Sequence, residues 1–218
     1  MRLLLFFLIC FSVQLGFAQS PKYTWVFLNS KPDKEQLTDV EAEALQKAHM
    51  ANIDALAKEG KILIAGPFEG GGGIFVLSTG SLATAKEWIM TDPAVEANRW
   101  NVELYPFTIS KGNICQPPEP FEMVTHNFIR FSVQNEIADY KSSGAVNTSS
   151  SDLYMVNALS KQGNLLLMAN FLNNEGGIIL YQGDDQSNLV NEDQALISGG
   201  LTIIEKKVWI AKGSFCEH

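Results

Sequence analysis

Positive charge is scarce in this 218-residue chain: 16 Lys and Arg stand against 24 Asp and Glu, for a formal charge of −8. No basic run occurs anywhere, which excludes nucleic acid as a partner, because holding phosphates needs clustered cations. Cysteine is equally sparse. Three in the chain are too few for a disulfide scaffold, and no Cys-x-x-Cys pair supports a redox role. Histidine occurs only at His49, His126 and His218, and neither of the last two has metal-ligand spacing to the first. No metal or organic cofactor is implied. Gly-x-Ser-x-Gly and Ser-His-Asp arrangements are missing. Gly70–Gly73 precedes an apolar strand-like run rather than Gly-Lys-Ser/Thr and a helix, so it predicts a hairpin turn and not a phosphate loop. After the first residues no segment reaches the roughly 20 apolar residues of a membrane-spanning helix.

What is present begins with an address. Met1-Arg2 is positive, Leu3–Phe11 is apolar, and Gly16-Phe17-Ala18 puts small residues at the −3 and −1 positions of a cut before Gln19. That is the layout of a secretory signal peptide over residues 1–18. Its apolar core is too short to anchor in a bilayer. The expectation is export to the periplasm or beyond the cell with no stable membrane anchor, in a setting where thiols oxidise.

The rest of the chain repeats itself. Ala55–Ile64 (ALAKEGKILI) aligns without a gap on Ala158–Leu167 (ALSKQGNLLL), and Phe68 then falls on Phe171. Gly73-Ile74 falls on Gly177-Ile178, Thr91-Asp92-Pro93-Ala94 on Glu192-Asp193-Gln194-Ala195, and Lys111–Cys115 on Lys212–Cys216. Gln116-Pro117-Pro118-Glu119-Pro120 between the copies is a stiff linker composition. The expected layout is one unit at 19–115, a linker at 116–125 and a second unit at 126–218. In the first unit Tyr23–Leu28 predicts a strand, and Thr38-Asp39-Val40-Glu41 a capping box that opens a helix ending at Gly60. Lys61–Ala65 and Ile74–Leu77 predict a hairpin, Ser81 caps a second helix, and Trp100–Phe107 is a last strand. This βαββαβ order is ferredoxin-like and the class is α+β. One sheet face is covered by helices, and the other needs a second sheet, which the second unit supplies.

Tyr23–Leu28, the helix bearing His49, Gly60–Phe68 with its Gly-Pro-Phe, the Gly-rich hairpin and Asp92-Pro93-Ala94-Val95 together resemble the YciI-related (YCII) domain. The resemblance covers Tyr23–Phe107, and Phe128–Ala211 resembles a diverged second copy. It implies a dimeric α/β barrel, here pseudo-dimeric within one chain, and a His/Asp site. It also implies chemistry of the lyase or isomerase kind, since the family includes a dehydrochlorinase and related barrels include muconolactone isomerase.

The residues support a site at His49 and Asp92 on their own terms, with alternatives. Leu45, His49, Ile53 and Leu56 share one helix face, while Glu41, Glu43, Lys47, Asn52, Asp54 and Lys58 lie mostly elsewhere. His49 therefore points at the sheet, as a satisfied core histidine or as a general acid/base lining a cavity. Asp92 before Pro93 is a helix cap, or a carboxylate that orients His49, or both if one oxygen stays free. The second unit carries Asp152 in place of His49 and Gln194 in place of Pro93. It reads as catalytically silent. Cys115 and Cys216 hold the same place in each copy, and a pseudo-twofold packing would join them in a disulfide. Trp25, Trp88, Trp100 and Trp209 read as core or cavity lining. The expected function is an exported small-molecule lyase or isomerase using His49 and Asp92. The alternative is a non-catalytic module binding a small ligand or a cell-envelope protein. Homo-oligomerisation stays open.

Overall fold

The computed structural model describes residues 22–133, 153–172, 176–184, 186–192 and 201–216. The expectations placed on residues 1–18, Asp152, Asp193, Gln194 and His218 fall outside them. The first half runs β1 (Tyr23–Ser30), α1 (Asp39–Lys58), β2 (Ile62–Pro67), β3 (Gly73–Leu77), α2 (Leu82–Ile89), α3 (Pro93–Glu96), β4 (Trp100–Lys111) and β5 (Asn113–Ile114). The second runs β6 (Met123–Val133), α4 (Tyr154–Lys161), β7 (Leu165–Phe171), β8 (Gly177–Tyr181), α5 (Ser187–Glu192), β9 (Leu201–Ala211) and β10 (Phe215–Cys216).

Local chemistry sets the boundaries. Thr38 Oγ1 accepts from Glu41 N, and Glu41 Oε2 accepts from Thr38 N at 2.9 Å, so the capping box is complete. Gly60 ends α1 with φ +69°, its N–H on Ala57 O, and Gly163 ends α4 with φ +69° and its N–H on Ser160 O. The aligned glycines thus terminate both helices in one geometry. Ser81 Oγ accepts from Thr84 N to start α2.

Eight antiparallel strands form one sheet in the order β2-β3-β1-β4-β7-β8-β6-β9, a large sheet of mixed α+β, ferredoxin-like type. The last strand of the first half runs beyond the expected Phe107. At that residue β4 leaves its ladder with β1 and continues on β7, from Phe107↔Phe171 to Lys111↔Met168. Likewise β6 begins at Met123, inside the segment read as linker, because Met123 already pairs with Ala211.

The sheet curls on itself. Trp25 of β1 stacks on Phe128 of β6 at 5.9 Å, and Phe27 meets Phe171 of β7 edge-on at 6.2 Å, although neither pair is on neighbouring strands. Alternation puts Trp25 and Phe27 into this inner core and Val26 and Leu28 into an outer one beneath α1 and α2. Both faces of β1 are buried, which is why it reads as an unbroken apolar run. The two ends of the sheet approach through one bridge, Phe68↔Val208, and one hydrogen bond, Glu69 N to Lys207 O at 2.9 Å. No ladder closes them, so the expected closed barrel is not formed by strand pairing. Gly66 lies so close that a side-chain carbon would strike Trp209 O.

Trp25 is fully buried and Trp88 and Trp100 pack partly into the outer core, but Trp209 is 48% exposed. Val208 and Ile210 take the inward positions of β9, so alternation turns Trp209 outward. His126, on the inward side of β6 with Phe128, has a buried Nδ1 with no hydrogen-bond partner among the described residues, and burial lowers its pKa below that of an ordinary imidazole. The folded chain then binds fewer protons than the unfolded one as pH falls below the unfolded value, about 6.5. Stability is expected to drop through that window. In His126→Phe the drop should shrink, as urea midpoints at pH 7.5 and 5.5 would show; an unchanged drop would assign the sensitivity elsewhere.

Candidate active site

His49 and Asp92 come from α1 and from the turn before α3, and the structure brings them together. His49 Nδ1 lies 2.7 Å from Asp92 Oδ2, with the residues 9% and 1% exposed. The other carboxylate oxygen, Oδ1, accepts from Ala94 N at 2.8 Å and caps α3, whose first residue is Pro93. Capping and orienting are therefore divided between two oxygens of one group. A carboxylate only accepts, so Nδ1 carries a hydrogen, and in the neutral imidazole Nε2 presents a lone pair. Among the described residues Nε2 has no hydrogen-bond partner, and it is not sealed from solvent. The imidazole packs 6.2 Å from Phe75 of β3, on the outer face of the sheet.

A second contact fixes the same junction. Asn52, one turn after His49, donates through Nδ2 to Thr91 O at 3.1 Å and Thr91 Oγ1 at 3.0 Å. Thr91 Oγ1 in turn donates to Trp88 O at 2.7 Å. Asn52 was placed with the polar face of the helix, yet its amide holds α1 against the residue before Asp92. Its spacing of three from His49 was the available signal.

Residues 24–108 match the YCII-related domain family. His49, Asp92 and both helices that position them lie inside the YCII match. No curated protein matches the chain. Among solved structures, a provisionally named monooxygenase from Fusobacterium nucleatum is similar at 8% identity and TM-score 0.45, over 89% of this chain and 93% of the other.

Beyond the YCII segment, Cys115 and Cys216 are joined, with Cα atoms 6.0 Å apart. They sit on β5 and β10, which pair Phe215↔Ile114 and Cys216↔Asn113. Among the described residues no group of three His, Cys, Asp or Glu side chains could hold a metal ion, and no helix is long and apolar enough to cross a membrane. A groove of about 500 Å³ is lined by Glu69, Phe128, Tyr181, Glu205, Lys206 and Lys207, among others. It touches neither His49 nor Asp92, so it is not the helix–sheet cavity expected there.

Proposed function

We propose that this is an exported lyase or isomerase of YCII type in which His49 moves a proton on a small organic molecule and Asp92 holds the imidazole. On this reading the two halves, 19–115 and 126–218, are tandem units packed as a pseudo-dimer whose shared sheet curls without closing into a barrel, the second carrying Asp152 in place of His49. What carries the reading is the division of Asp92: Oδ1 is spent on Ala94 N and Oδ2 on His49, which leaves Nε2 as the one unengaged atom of the pair. Nε2 takes a proton from a carbon next to a carbonyl or hydroxyl group, and Asp92 stabilises the imidazolium that results. In an isomerase the proton returns to a different atom. In a lyase the electron pair left behind expels a group from the adjacent carbon. The matching helix ends, the aligned strand order of the two halves and the joined Cys115 and Cys216 support the tandem arrangement. A disulfide is also compatible with export.

Incubating the full chain in D2O with a panel of small carbonyl and hydroxy compounds, read by proton NMR, tests the proposal. Exchange or elimination in one compound is expected, falling about 100-fold or more in His49→Gln while that compound still binds. If His49→Gln binds a ligand as tightly and no panel member reacts with either protein, the binding-module reading takes its place. The groove at Glu69 and Lys206, away from His49, is the feature that favours that alternative.

A further inference from the structure

The inner face of the sheet carries a second constellation, opposite the face that bears His49. Glu103 Oε2 accepts from Arg130 Nη2 at 2.6 Å and from Tyr105 Oη at 2.7 Å, and Oε1 accepts from Asn29 Nδ2 at 2.5 Å. Arg130 Nη2 also donates to Tyr105 Oη at 2.8 Å. Burial pushes the Glu103 carboxyl up, but the hydrogen bonds from Arg130 and Tyr105 and the guanidinium charge outweigh it and hold the group below the usual carboxylate range. Glu103 is therefore a carboxylate with both oxygens occupied.

Arg130 is not so satisfied. Its guanidinium lies 4.3 Å over the Phe27 ring and 4.9 Å from Tyr105, with the side chain only 15% exposed. Both hydrogen bonds use Nη2. Nη1 and Nε, which carry three of the five donors, have no partner among the described residues, and neither is sealed from solvent. These donors face solvent from an otherwise buried cation, which leaves them open to an anionic acceptor.

The strand register shows where that acceptor would sit. Phe27 pairs with Ile74 and Glu103, and Arg130 with Ile178 and Ile204. Because Gly73-Ile74 aligns on Gly177-Ile178, Arg130 occupies the place of Phe27, Ile204 that of Glu103, and Lys206 that of Tyr105. The ring contacts agree: Tyr105 stacks on Phe171 at 4.4 Å, and Lys206 Nζ lies 4.7 Å over Phe68. One side of this mouth thus carries a carboxylate and a phenol. The other carries Ile204, 46% exposed, and Lys206, which has no ion-pair partner among the described residues. Lys206 and Arg130 are diagonal neighbours on paired strands, a separation of about 7–8 Å at most side-chain roots. The groove of about 500 Å³ reaches Lys206, and Glu69 lines it without an ion pair to the lysine. With Arg130 balanced by Glu103, Lys206 is the inward-facing cation of β9 left beside apolar surface, while around the groove Glu69 and Glu205 offset Lys206 and Lys207.

We propose that this mouth binds a small organic monocarboxylate, its oxygens on Arg130 and Lys206 and its apolar body against Ile204 and Phe68. The site is separate from His49 and does not depend on the proposed chemistry there.

Sodium benzoate titrated into the full chain at low salt, followed by NMR, tests it, with inorganic phosphate as a second arm. Saturable shifts on β6 and β9 are expected with benzoate. Arg130→Gln and Lys206→Met should each weaken benzoate by about tenfold or more, the loss of one charge-assisted contact. His49→Gln should leave its affinity unchanged. Lys206→Met strips no described residue of a hydrogen bond or ion pair, so it keeps the test readable if Arg130→Gln unfolds. Absence of saturable shifts, full affinity in Lys206→Met, or binding of phosphate in place of benzoate overturns the proposal.

Discussion

Replacing Cys115 and Cys216 with serine is expected to lower the unfolding free energy by about 3–5 kcal/mol, the chain-entropy value for a loop of this length. The bond spans 101 positions and its Cα atoms stand 6.0 Å apart, within the ordinary range for a disulfide. It closes nearly the whole second half of the chain onto the end of the first. Beside it lie two paired positions between β5 and β10, the Cys115 N–H on Ser214 O at 2.9 Å, and Phe215 packed with Ile114 in the inner core. Without the bond, those contacts persist in the folded state and the loss arises from the loop freedom that the unfolded chain regains. Urea unfolding of the oxidised protein against the double serine variant measures the difference. A loss below about 1 kcal/mol would show that compact structure persists in the unfolded chain and removes the entropic benefit.

Asp92→Ala should cost about 3 kcal/mol, because two separate contributions fall together. One is the α3 cap on Ala94 N, worth about 1 kcal/mol. The other is the buried Nδ1–H of His49, left without an acceptor at a cost of about 2 kcal/mol. Asp92→Asn divides these effects. Its amide oxygen can still cap Ala94 N, so stability should fall by no more than about 1 kcal/mol. Its NH2 would then face Nδ1 and favour the tautomer with hydrogen on Nε2, removing the lone pair that the proposed reaction uses. Unfolding curves and Nε2/Nδ1 nitrogen chemical shifts, taken on both variants, check the two halves of this expectation. Equal destabilisation by Ala and Asn would mean that the asparagine amide restores neither the cap on Ala94 N nor a partner for His49 Nδ1.

Features written in local spacing were legible in the sequence. Thr38, Ser81 and Asp92 each announce a helix start with a side chain that caps within three residues, and Gly60 announces a stop. His49 on the inward helix face and Asp92 beside Pro93 were readable as two separate facts. Their 2.7 Å contact follows only once α1 and α3 are docked. The repeat located Cys115 and Cys216 together. The network of Asn29, Glu103, Tyr105 and Arg130 was not legible, because its members come from β1, β4 and β6 and meet only through the curl of the sheet. Outward-facing Trp209 was misjudged for a related reason: alternation along β9 depends on a register set by β6, not by the residue's own hydrophobicity.

The contact between Phe27 and Arg130 has a consequence for symmetry. In a homodimer with a twofold interface, a position that touches its own equivalent must present the same side chain twice. Phenylalanine there would give ring against ring, and arginine would give cation against cation. A chain that carries both halves is released from that rule, since each half can be written independently. Here one half supplies the ring and the other the guanidinium, so a position that identical subunits would leave apolar or self-repelling becomes an attractive heterotypic pair. On the proposed tandem reading, joining the halves in one chain frees equivalent positions to differ, and the Phe27–Arg130 pair is polarity that two identical subunits could not place there.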